Sequence, residues 1–104
     1  MTGTKGYRPH VEAFEGITWD PANRDVHFQK HGIDFPIAAK FNWTRILKRK
    51  DAEHPDRPPR FNALAEVPGI DLVFLVVYTK SDGWLNIISI RLANAEERAI
   101  FRAG

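Results

Sequence analysis

The sequence predicts an α+β domain, and three observations carry that prediction. Asp20-Pro21 and Gly32 bracket a helical stretch, the apolar period changes from helical to alternating at Thr44, and Asn94-Ala95-Glu96-Glu97 signals a new helix once the alternation ends. Taken in order, Phe14 to Trp19 alternates as a short strand. Asp20 then suits an N-cap, where its carboxylate accepts from orphan amides, and Pro21 suits the first helical position because it has no amide to leave unpaired. This helix runs to about His31 and stops at Gly32, which can enter the left-handed conformation without a side-chain clash. Asp34 caps a short second helix over Pro36 to Phe41. Four strands follow, Thr44 to Lys50, Arg60 to Val67, Ile70 to Thr79 and Trp84 to Ala93, and the capping-box pattern starts a final helix at Ala95 that runs to Arg102. Packed together, these elements make an antiparallel sheet of about four to five strands, with two N-terminal helices on one face and a C-terminal helix.

Length and composition restrict what such a domain can do. A chain of 104 residues, 43% hydrophobic, buries roughly two thirds of its unfolded surface, which suffices for one core and argues against two. Residues 14–104 are therefore expected to form a single domain, preceded by a polar, glycine-containing and loosely ordered extension over 1–13. The absence of cysteine excludes disulfide scaffolds, thiolate zinc ribbons, iron-sulfur clusters and cysteine nucleophiles. The longest near-apolar run, Leu72 to Val77, is far short of the ~20 residues that cross a bilayer, and no targeting signal stands at the N-terminus. A cytoplasmic protein without membrane contact is expected.

The net charge of +2 conceals a partition. Residues 44–60 hold six basic and three acidic side chains, net +3, whereas residues 61–83 hold one and three, net −2. The basic excess lies in one strand and the proline-rich loop after it. Strand alternation places Lys48 and Lys50 on one face and Arg49 on the other. Such charges suit a polyanion, and they equally suit the protection of an edge strand. The loop adds Glu53 and His54, neighbours able to exchange protons, beside Arg57 and Arg60. Arg91 follows the apolar run Ile87 to Ile90, and an arginine in such a strand pairs with an internal or a bound anion. Tyr78 ends another apolar strand, with its hydroxyl at the rim. If the turn at Lys80 to Gly83 is two or four residues long, Tyr78 shares a sheet face with Leu85, Ile87, Ser89 and Arg91. His27 and His31 have the four-residue spacing that can face a metal, but no Glu follows His27 and no third ligand stands out, so no metal or cofactor is expected. Near a helix C-terminus His31 also answers the dipole.

Ordered motifs supply a further argument. Trp19-Asp20-Pro21, Lys30-His31-Gly32-Ile33-Asp34-Phe35 with Ala38-Ala39, Arg60-Phe61-Asn62-Ala63-Leu64, Val76-Val77-Tyr78-Thr79, Ile87 to Ala93 and Glu97-Arg98 together resemble the BrnT family. These are the toxins of BrnT/BrnA type II toxin-antitoxin pairs. The likeness spans about residues 14–102 and departs from the pattern at Asn23, His27 and Ala65. It implies a RelE-like fold and a metal-independent endoribonuclease that cuts RNA and arrests growth. It also implies neutralisation by a BrnA-like antitoxin in a heterotetramer, with DNA contacted only through that antitoxin. Carried onto this chain from the matching motifs, Arg60 and Arg91 become phosphate clamps; metal-free cleavage also needs a proton-transfer group, for which Glu53 or His54 is the candidate, and Tyr78 can stack on a base or donate its hydroxyl. Lys48 and Lys50 extend the RNA contact, with Lys30 and His31 as further contributors. The alternative is a weak or inactive homologue that binds antitoxin or RNA.

Overall fold

The computed structural model describes residues 4–51 and 59–104. The strands are β1 (Arg8–His10), β2 (Gly16–Trp19), β3 (Ile46–Lys50), β4 (Phe61–Glu66), β5 (Val73–Ser81) and β6 (Trp84–Leu92). Helix α1 (Pro21–His31) and a 3-10 helix (Phe35–Lys40) lie between β2 and β3, and α2 (Ala95–Ala103) closes the chain. All six strands form one sheet in the order β1-β3-β4-β5-β6-β2. Neighbours pair antiparallel except β2, which runs parallel to β6.

The helix boundaries follow their local signals. Asp20 caps α1 by accepting from the Ala22 amide, and Gly32 ends it at φ 70°. Asn94 and Glu97 complete the capping box of α2, so Asn94→Ala is expected to cost about 1 kcal/mol in thermal or denaturant unfolding. The short second helix takes the tighter 3-10 form. In the β5–β6 hairpin Ser81 pairs with Trp84, and Asp82 and Gly83 both have positive φ, a two-residue turn.

Two expectations about the sheet need correcting, its four to five strands and its wholly antiparallel pairing, since β2 runs parallel to β6. Residues 4–13 supply edge strand β1, which pairs with β3 from Arg8↔Lys48 to His10↔Ile46. Tyr7 and Glu12 are buried. With β1 at one edge and β2 at the other, the sheet reaches six strands. The N-terminal and C-terminal helices also take opposite faces. The larger core, built on Phe35, Trp43, Val76, Tyr78 and Ile87, lies on the face carrying α1 and the 3-10 helix. A smaller one, built on Leu47, Leu64, Leu75 and Ile100, lies under α2.

Candidate active site

The face under α2 is only partly covered. Leu47, Leu64 and Leu75 meet Ile100 of the helix, and farther along the same strands the alternation presents Arg49, Asn62, Val77 and Arg91. These four, with Lys5, Gly6, Lys50, Asp51 and Leu75, line a cleft of about 630 Å³. Arg49 lies 4.4 Å from the Tyr7 ring centroid and donates to the Lys5 carbonyl at 3.0 Å. Arg91 makes a bidentate pair with Glu97, both bonds at 2.8 Å, and donates to the Leu92 carbonyl. Three of the five N–H donors of its guanidinium are thereby engaged. Burial works to raise the Glu97 carboxyl, but Arg91 and the Asn94 amide hold it below the ordinary carboxylate range. Asn62 Oδ1 and the Tyr7 hydroxyl, beside this cleft, are buried and have no hydrogen-bond partner among the described residues. Arg60 stands one residue before β4. The Asp51 amide donates to its carbonyl at 2.9 Å, which extends the β3–β4 register by one pair and aligns Arg60 with Asn62.

The expectation that Tyr78 and Arg91 share a face fails because β6 contains a bulge. Tyr78 pairs with Ile87 but Val77 pairs with Ser89, so Ile88 is the extra residue and the side chains beyond it change faces. Arg91 thus lies opposite Leu75 on the cleft face, while Tyr78 points into the larger core.

Tyr78 is fully buried, and its hydroxyl donates to Glu12 Oε1 at 2.6 Å. Lys48 Nζ donates to the same oxygen at 2.7 Å and lies 4.2 Å from the Phe61 ring centroid, and Lys80 Nζ donates to Glu12 Oε2 at 2.9 Å. Burial opposes ionisation of Glu12, yet these three donors hold its carboxyl at about 2. Burial, followed by the Glu12 carboxylate, pushes the Tyr78 hydroxyl above its ordinary value. Tyr78 and Lys48 therefore serve a buried polar cluster on the face opposite the cleft, and the Tyr78 ring is closed to a base. Lys50, at the exposed end of β3, remains at the cleft.

Lys30 and His31 occupy the last turn of α1, exposed and on the face away from the cleft. The His27 imidazole is committed to the backbone: Nε2 lies 3.0 Å from the Ile90 amide and Nδ1 lies 3.3 Å from the Ile33 carbonyl oxygen. Burial pushes it below its ordinary pKa. Among the described residues no group of three or more His, Cys, Asp or Glu could hold a metal ion. Glu53 and His54 lie outside the described residues. Sequence reasoning passed over Arg49, Asn62 and Glu97 as site residues. The alternation that set Arg49 apart from Lys48 and Lys50 was the signal that could have found the first.

The described residues thus form a six-stranded α+β sheet with an arginine-lined cleft beside the C-terminal helix. The family model described as ribonuclease toxin, BrnT, of type II toxin-antitoxin system matches residues 19–97, and the chain belongs to that family. The fold is similar to the 1.1 Å crystal structure of the Brucella abortus ribonuclease toxin BrnT, with a TM-score of 0.50 and 24% identity over 76% of this chain and 96% of that one. No curated protein matches the chain. Residues 7–12, which carry β1 and Glu12, precede the family match. Among the described residues no helix is long and apolar enough to cross a membrane.

Proposed function

We propose that this chain is a metal-independent endoribonuclease, RelE-like in fold, that cuts RNA in the cytoplasm, arrests growth and is silenced by a BrnA-like antitoxin in a heterotetramer. The observation that carries the reading is the convergence of Arg49 and Arg91 on one cleft, with Lys5 and Lys50 at its rim and Arg60 aligned with Asn62 beside it. In the metal-free route the ribose 2′-hydroxyl attacks the adjacent phosphorus and the 5′-oxygen leaves. That needs a base, an acid and cations on the developing phosphorane charge. Guanidinium forks fit paired phosphoryl oxygens and keep their charge at any working pH. Arg91 has two donors left after Glu97 and Leu92 are served. Glu53 and His54, within three residues of Asp51 along the chain, are the proposed proton-transfer groups.

Purified protein on defined RNA tests this reading. Cleavage is expected to persist in EDTA and to fall about a hundredfold in Arg49→Ala and Arg60→Ala, with circular dichroism unchanged. Loss of cleavage in EDTA overturns the metal-free route, and wild-type cleavage by both variants overturns the cleft. The second reading, an antitoxin-binding homologue that cleaves little, is favoured by Glu12 holding Lys48 and Tyr78 and by Glu97 holding Arg91. Expression without growth arrest, from soluble folded protein, selects it.

A further inference from the structure

We infer that Asn23 and His27 on α1 are positioning residues for Arg91, because they hold the β6 bulge that decides which face of the sheet Arg91 occupies. The inference rests on the reading of Arg91 as a phosphate clamp.

Strand β2 accompanies β6 only as far as Trp19↔Ile87. Among the described residues, that edge of β6 has no strand beside it from Ile88 onward, and the bulge falls at this point. A bulge leaves backbone groups outside the ladder, and groups at an unpaired edge must find other partners. Here α1 provides them. Asn23 Nδ2 donates to the Ile88 carbonyl at 3.0 Å, and the Ile90 amide donates to His27 Nε2 at 3.0 Å. The contact between His27 Nδ1 and the Ile33 carbonyl selects the tautomer with the proton on Nδ1, which leaves Nε2 a lone pair for Ile90. The ring is lodged between Phe35 and His31, with centroids 4.7 and 4.6 Å away, so it has little freedom to turn from the strand.

The register shows what this arrangement accomplishes. Continued without the bulge, the pairing from Ser81↔Trp84 to Tyr78↔Ile87 would set Arg91 opposite Phe74, on the face of the larger core. With the bulge held, Arg91 lies opposite Leu75 and reaches the cleft, where Glu97 fixes its guanidinium. Glu97 therefore sets the side-chain end and α1 the backbone end of the same arginine.

The test uses the full chain and a 2′-O-methyl oligoribonucleotide, which keeps the phosphates but removes the attacking hydroxyl, so binding is read apart from cleavage. Asn23→Ala and His27→Ala are each expected to weaken binding about tenfold, in step with Arg91→Ala, and to raise amide exchange at Ile90 while the amides of α2 stay protected. His27→Gln, whose amide oxygen can accept where Nε2 does, is expected to restore both readings to within about twofold of wild type. Should His27→Ala fail to fold, Asn23→Ala and His27→Gln carry the test. Wild-type binding by Asn23→Ala and by the His27 variants overturns the inference while leaving the clamp reading intact, provided Arg91→Ala is defective. If Arg91→Ala also binds like wild type, both fall. A defect in His27→Ala that His27→Gln does not relieve assigns His27 to packing alone and overturns its positioning role.

Discussion

Glu12→Ala is expected to lower the midpoint of thermal unfolding by roughly 10–25 °C, the equivalent of about 3 kcal/mol in a domain of this size. The glutamate side chain is 1% exposed and accepts from Lys48, Lys80 and Tyr78. Without the carboxylate, a fully buried phenol loses its acceptor and two partly covered ammonium groups lose their counter-charge. Removing one partner of a buried polar cluster costs more than the intact cluster contributes, because the remaining groups stay desolvated. Glu12→Gln keeps an acceptor for Tyr78 but no charge for the lysines, and a fall of about half that size is expected. Acid unfolding provides an independent reading. The folded-state value of about 2 lies below the ordinary carboxyl value of 4.5. The contribution of Glu12 is thus complete above the unfolded value and is lost as pH falls from there through the folded one. That loss amounts to about 3 kcal/mol, and Glu12→Gln should flatten this acid limb. A Glu12→Ala protein that melts like wild type would refute the account of residues 7–12 as part of the fold.

Arg91→Ala is expected to reduce RNA cleavage by two to three orders of magnitude, roughly the effect of deleting one preorganised donor at a developing anion. It also strands Glu97, whose side chain is 12% exposed, so a stability loss of about 1–2 kcal/mol accompanies it. The two effects separate in Arg91→Lys and Glu97→Gln. Lysine keeps a charge near Glu97 but cannot offer a fork to two phosphoryl oxygens, so stability should return further than cleavage. Glu97→Gln weakens the α2 cap yet releases the guanidinium from its carboxylate, so RNA affinity should hold or rise as thermal stability drops. Measuring cleavage and melting together decides the matter. Cleavage by Arg91→Ala at the wild-type rate in folded protein would remove Arg91 from the site.

The features legible in the sequence depend on neighbours close along the chain. Asp20-Pro21 and Gly32 set the ends of α1 because caps act within one turn, and Asn94 with Glu97 set the start of α2 for the same reason. Lys80 to Gly83 marked a hairpin turn of two or four residues, of which the structure takes two, and strand alternation separated Arg49 from Lys48. The ordered motifs carried the family. Features that depend on distant partners stayed hidden. Glu12 looks like one more surface charge until β1 lies beside β3 and brings it to Lys48, 36 residues away, and to Tyr78, 66 away. The parallel pairing of β2 with β6 has no local signature. Ile87 to Arg91 reads as an unbroken strand, because a bulge is defined by what lies across the ladder and by α1 side chains that take up the freed backbone groups.

By itself the sequence determined where most elements begin and end, which strand residues alternate, and which family the chain resembles, since short-range sterics, capping and motif order are written along the chain. The tertiary structure alone decided that Arg49 and Arg91 line one cleft while Tyr78 and Lys48 turn away from it. A single extra residue in β6 reverses the faces beyond it, and a buried carboxylate just after the N-terminal strand claims the donors that had looked like ligands for RNA.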